Sequence, residues 1–174
     1  DTVGDPDVAK QAMLTYLQKA PPEDILPADY EELAKINSKI PGMEQEAFAN
    51  YQMAVEKDTS MENKKKYVLK AAEYAKSLND RNQQANGLGI AYGLEKEPSQ
   101  TDLYNWAYAH YQAGNYTQAD SLFCGTYQQK YPDEIYGYLW CARAKQAQDT
   151  TMEQGLAVDA YKALAEKALV IDSG

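Results

Sequence analysis

The most constraining feature of this chain is a spacing. Pro98 and Pro132 stand 34 residues apart, as do Ala85 and Ala119, and Ala72 and Trp106; Trp106 precedes Cys141 by 35. A fixed period of this length marks a small unit that is repeated and stacked, because one such unit cannot bury its own apolar face. Breaks fall at Pro21-Pro22, Pro41-Gly42, Asn79-Asp80, Pro98, Gly114-Asn115, Pro132 and Gln148 to Thr151. Between them apolar residues recur three and four positions apart, as in Tyr30, Leu33, Ala34 and Ile36, or Ala119, Leu122, Phe123 and Tyr127. That is the α-helical period, and no segment sustains the alternation of a half-buried strand. The pattern predicts helices over 6–20, 28–40, 43–57, 62–78, 81–95, 100–113, 116–130, 134–148 and 154–171. The expected fold class is all-α, an array of about nine helices in antiparallel pairs.

Composition narrows the function. The 174 residues are 44% hydrophobic and 25% charged, a globular rather than a disordered or collagenous mixture. No apolar run approaches the ~18–20 residues that span a bilayer, so no membrane insertion is expected. A net charge of −9, with Arg81 and Arg143 the two arginines, argues against nucleic acid, whose binders carry a basic stripe. One histidine and two cysteines are poor equipment for a metal centre or a catalytic triad. Neither catalysis, cofactor nor metal is expected. Asp1 is not an initiator methionine and Asp172-Ser173-Gly174 closes no helix, so both ends read as cuts in a longer protein.

The run Tyr104-Asn105-Trp106-Ala107-Tyr108-Ala109-His110-Tyr111-Gln112-Ala113-Gly114-Asn115-Tyr116-Thr117-Gln118-Ala119 resembles the first helix, turn and second-helix start of a tetratricopeptide repeat (TPR). Phe123 and Pro132 follow near the family's distances, with one extra residue before the proline. Ala47-x3-Tyr51-x2-Ala54 is similar to a second-helix signature, and Trp140-Cys141-Ala142-Arg143-Ala144 to a further first helix. Ala168-Leu169-Val170-Ile171-Asp172 resembles the end of a second helix. The resemblance implies a bacterial TPR-containing protein whose helices form a right-handed superhelical α-solenoid. It divides residues 1–174 into an orphan helix 6–20 and repeats at about 27–59, 64–98, 100–132 and 135–172. Two departures stand out. Glu73 falls where a small residue is usual, and the last repeat has a lengthened turn from Gln148 to Gly155.

In this family the first helices line a concave surface that binds a peptide or another protein. The resemblance therefore implies a non-catalytic scaffold with a protein or peptide partner. On first helices the face away from the packing residues carries Tyr67, Lys70 and Tyr74, then Tyr104, Tyr108 and Tyr111, then Tyr136, Leu139 and Arg143. Tyrosine supplies rigid area with a polar tip, which suits a binding surface. The candidate peptide site is Tyr67, Lys70, Tyr74, Tyr104, Tyr108, Tyr111 and Arg143, with Lys70 and Arg143 as anchors. The family's clamp for chaperone C-termini is poorly matched, since its places carry Glu31, Lys35, Lys70 and Tyr74, and Asn105 alone fits part of it. One alternative is a glycan-binding part of a bacterial nutrient-capture system, stacking sugars on Trp106, Trp140 or tyrosines. Another is the sensory or regulatory arm of a longer signalling protein. A periplasmic or cell-surface location is favoured over the cytoplasm.

Other features read as structure. Cys124 and Cys141 lie almost symmetrically about Pro132, so they reach a disulfide if their Cα atoms approach within ~7 Å. The core position of Cys141 favours instead two buried thiols. His110 sits at a packing position. Gly87-x-Gly89-x3-Gly93 lacks the spacing and preceding strand of a dinucleotide loop, and its small residues suit close helix packing. Residues 1–34 hold eight carboxylates against Lys10 and Lys19, a solvated acidic face, and Lys64-Lys65-Lys66 reads as an exposed helix start.

Overall fold

The computed structural model describes residues 4–172, and every regular element among them is helical. The helices are α1 (Pro6–Lys19), α2 (Pro27–Asn37), α3 (Glu44–Lys57), α4 (Met61–Ser77), α5 (Arg81–Gly93), α6 (Gln100–Gln112), α7 beginning at Tyr116, α8 (Ile135–Gln148) and α9 (Val158–Asp172). A 3-10 turn, Pro22–Asp24, joins α1 to α2. Each helix packs on the next along the chain, as in a solenoid.

Local chemistry sets the boundaries. Ser60, Asp80 and Ser99 cap α4, α5 and α6, their side chains accepting from the amides of Asn63, Gln83 and Asp102. Each such cap contributes about 1 kcal/mol. The Asp102 carboxylate reaches back to the Ser99 amide, which closes a capping box. The turns inside the second and third pairs each need one left-handed residue. Asn79 supplies it at φ 59° and Gly114, 35 residues later, at φ 79°. α5 ends at Gly93, earlier than the expected 95, so Pro98 leads into the α6 cap rather than stopping α5.

Four alanines fix the true register of the first helices. Ala34, Ala72, Ala107 and Ala142 are 0–3% exposed, each at the place where a second helix crosses closely. A Cβ on Gly87 would lie 2.9 Å from that of Ala72, so α4 and α5 meet there without room for larger side chains. Ala72 thus corresponds to Ala107, 35 residues on, and not to Trp106 at 34. The supposed departure at Glu73 disappears, since Ala72 is the small residue. A slip of one residue turns a helix face by about 100°, which matters for the site.

The extra residue before Pro132 also has a physical form. α7 starts as an α-helix (Tyr116–Asp120), widens into a π-helical turn (Ser121–Tyr127) and closes with Gln128–Lys130. A π turn absorbs one inserted residue without breaking the helix. Phe123 and Tyr127 project from it into the main core, 0% and 1% exposed, against Leu103 and Ala107. Cys124 lies in the same turn, with its Cα 4.8 Å from that of Cys141 on α8, and the two form a disulfide. This corrects the expectation of two free buried thiols: Cys141 is indeed buried, and Cys124 is held against it at bonding range. The lengthened turn after α8 winds around buried Asp149, whose carboxylate accepts from the amides of Gln154 and Leu156.

Candidate binding groove

The alanine register assigns the outward positions of each first helix. They are Glu31, Lys35 and Ser38 on α2; Leu69, Glu73 and Lys76 on α4; Tyr104, Tyr108 and Tyr111 on α6; Leu139, Arg143 and Gln146 on α8. A cavity of about 490 Å³ opens between α4 and α6, backed by Arg81, Gln84 and Leu88 of α5. Its walls include Leu69, Glu73 and Lys76 on one side and Tyr104, Asn105, Tyr108 and Gln112 on the other. Among the described residues, the side chains of Glu73, Lys76, Asn105 and Gln112 make no hydrogen bond or ion pair, so they stand ready for another molecule.

The α6 tyrosines are braced from behind. Tyr104 stacks on Tyr108 at 5.8 Å and Tyr108 on Tyr111 at 6.4 Å. Edge contacts to Phe123 (5.8 Å) and Tyr136 (6.2 Å) hold Tyr104, and Trp140 meets Tyr108 at 4.6 Å and Tyr111 at 5.0 Å. Burial pushes the Tyr104 hydroxyl above its ordinary pKa, against the opposing pull of Trp140 and Arg143. The Arg143 guanidinium lies over the Trp140 ring at 4.8 Å, a cation–π contact made by an exposed cation.

The α4 candidates stand elsewhere. Tyr67 is 5% exposed, with its hydroxyl donating to Asp58. Tyr74 faces the preceding pair, its ring 5.2 Å from Phe48. Lys70 donates to Glu31, which also pairs with Lys35 at 2.9 Å. Burial raises the Glu31 carboxyl, but the bonds from Lys70 and Lys35 outweigh it and hold its pKa below the usual range. Lys70 is therefore engaged within the chain. Of the residues that the sequence frame missed at the groove, Leu69, Glu73 and Lys76 follow from counting 35 instead of 34 between α4 and α6, and Arg81 enters from the start of α5.

Other features are structural in their contacts. His110 accepts from the Trp106 indole nitrogen at 3.1 Å and faces Asn115, and burial lowers its pKa. Trp106 is half-buried over Gly89, where a Cβ would come within 2.7 Å of its ring nitrogen. Trp140 is enclosed by tyrosines and Arg143. Both indoles are thus partly buried by the chain's own contacts. Asp120 lies near Cys124 and Cys141, but the sulfurs are in the disulfide and the carboxylate accepts from Lys145 and Gln148, so this trio offers no free thiolate to a metal. A larger cavity of about 630 Å³ lies between α3 and α5 over α4, lined by Phe48, Val55, Ala71 and Ile90. Sequence reasoning missed it, because it is formed by second helices.

With this geometry in place, the overall likeness is decisive. The chain superposes on the C-terminal part of a TPR repeat-containing protein from Cytophaga hutchinsonii with a TM-score of 0.56 and 28% identity. The match covers 96% of this chain and 62% of that one. The fold is TPR-like. A second structure, MamA, matches with a TM-score of 0.51 and 20% identity over 99% of this chain and 94% of its own. No family model and no curated protein matches the sequence. The chain spans less than two thirds of the Cytophaga structure. In TPR terms, α2/α3, α4/α5, α6/α7 and α8/α9 are helix pairs, and the groove lies between the first helices of the pairs containing α4 and α6.

Proposed function

We propose that this TPR-like array is a non-catalytic scaffold that binds a peptide or protein segment in a concave groove walled by Tyr104 and Tyr108. TPR-like neighbours support protein–protein interaction in general. The observation that carries the finer reading is the open α4–α6 groove, where a braced tyrosine wall stands among four polar side chains, Asn105 and Gln112 beside it and Glu73 and Lys76 across from it, that have no partner among the described residues. Rigid aromatic area beside adaptable amides is the composition of a recognition surface: the rings supply contact at low entropic cost, and the amides satisfy a ligand backbone. Tyr111 and Arg143 extend the site toward α8, whereas Tyr67, Lys70 and Tyr74 lie outside it. The Cys124–Cys141 disulfide supports an oxidising compartment, periplasmic or cell-surface.

The test is affinity capture from extracts of the source organism, comparing wild type with the Tyr104→Ala, Tyr108→Ala double variant. A protein retained by wild type and lost by a variant with unchanged helical circular dichroism supports the groove. Equal retention by both removes it.

A further inference from the structure

We infer that the groove selects an extended acidic segment, with carboxylate side chains meeting Arg81 and Arg143 on either side of the tyrosine wall. The inference rests on the groove reading above and adds the chemistry of the ligand. In a chain of net charge −9, chance alone would leave any one surface acidic, yet both arginines border this wall. Arg81 lines the α4–α6 cavity with Lys76, and Arg143 lies beyond Tyr108, its charge close enough to act on the Tyr104 hydroxyl. The opposing charge on the cavity wall is Glu73, and Asp80 next to Arg81 is occupied in capping α5. Three cations against one free carboxylate make a locally positive strip on an acidic molecule, which complements an acidic partner and repels basic ones.

Both guanidinium groups are oriented but unspent. Arg143 rests over the Trp140 ring at 4.8 Å, and Arg81 uses one nitrogen to donate to Gln84 at 3.0 Å. Their other N–H donors face no carboxylate of this chain among the described residues. A planar fork placed in this way suits two-point binding of a carboxylate, and its side-chain entropy is partly lost before the ligand arrives. The contrast with α2 and α4 sharpens the point. There Lys35 and Lys70 are answered by Glu31 and Glu32, whereas Lys76, Arg81 and Arg143 along the groove have no carboxylate partner among the described residues.

A phage-displayed library of random dodecapeptides tests this. It is selected in parallel on the folded wild-type chain, on Arg81→Gln, Arg143→Gln, and on Tyr104→Ala, Tyr108→Ala, with circular dichroism checking each variant. The expected wild-type pool is enriched in Asp and Glu, the arginine variant's pool loses that enrichment, and the tyrosine variant yields no enriched pool. A selected acidic peptide, measured by fluorescence anisotropy, should bind about tenfold more weakly to Arg143→Gln at ~0.15 M salt, with Arg143→Lys in between. A wild-type pool without acidic enrichment, still dependent on Tyr104 and Tyr108, overturns the charge preference and leaves the groove standing. A pool equally recovered on the tyrosine variant, or no enriched pool at all, overturns both.

Discussion

The first-helix face has two halves built on the same backbone plan and finished in opposite ways. Around α2 the charges answer each other: Glu31 is buried beneath Lys35 and, from α4, Lys70, and the surface there is closed by its own ion pairs. In the α6/α8 half the equivalent positions carry Tyr104, Tyr108, Tyr111 and Arg143, braced from behind by Phe123, Trp140 and the disulfide. The repeat fold dictates where these side chains stand, but not whether they satisfy one another. A half that neutralises itself adds cohesion between repeats, and a half that stays rigid and unsatisfied is available to a partner.

The largest expected effect breaks the bracing of the second half. The Cys124–Cys141 link closes a 17-residue separation, and its removal by Cys124→Ser, Cys141→Ser should cost about 3 kcal/mol in urea unfolding. Hydrogen exchange should show the loss in α7 and α8, with α2 and α3 retaining their protection, because repeat arrays couple mainly through nearest neighbours. Uniform loss along the chain would contradict the division into halves.

Next comes the closed half. Lys70→Met leaves the buried Glu31 with Lys35 alone, at a cost of about 1–2 kcal/mol, reduced from that of a fully buried pair because Lys70 is a third exposed. Adding Glu31→Leu should recover most of it, since the uncompensated charge is then gone. The pH dependence has a definite sign. The folded Glu31 carboxyl titrates below its unfolded value, so its contribution is complete above that unfolded value and fades as pH falls through the folded one. Stability of Glu31→Gln should therefore depend less on pH in the acid range than wild type. Neither substitution should alter peptide binding by the α6/α8 half.

The smallest effect belongs to His110. Burial lowers its pKa, so the unfolded chain takes up the proton more readily, and the stability present above pH ~6.5 declines below it. His110→Gln should flatten the stability profile between pH 7 and 5 when followed by thermal unfolding. An unchanged profile would show that His110 is not held neutral by its burial.

Much of this was legible in the sequence, and the gaps have identifiable causes. Helical periodicity located all nine elements among the described residues, because close-packed alanines and bulky neighbours recur at 3.6-residue spacing in stacked pairs. Tyr104, Tyr108 and Arg143 were legible as outward residues because their repeats keep the 35-residue step to Ala107 and Ala142. Tyr67, Lys70 and Tyr74 were misassigned because Trp106 aligned with Ala72 at the family's nominal 34, and the one-residue slip rotated α4 by a quarter-turn or more. Second helices do keep 34, as Ala85 and Ala119 show; the extra residue lies in the α4–α5 turn, where Asn79 stands 6 residues before Ala85 and Gly114 only 5 before Ala119. The disulfide was a matter of distance alone, since a sequence states that two cysteines flank a turn but not whether a π turn holds one against the other.

The central claim is that the groove formed by α6, α8 and the Leu69, Glu73 and Lys76 edge of α4 binds, and that the self-paired Glu31, Lys35 and Lys70 cluster does not. Amide chemical-shift mapping of isotopically labelled protein, titrated with one peptide from the selected pool, tests it most directly. The account predicts shifts at Glu73, Asn105, Tyr108 and Arg143, with Glu31 and Lys35 unmoved. Shifts centred on Glu31 and Lys35, or on the Phe48 and Ile90 cavity, would contradict it.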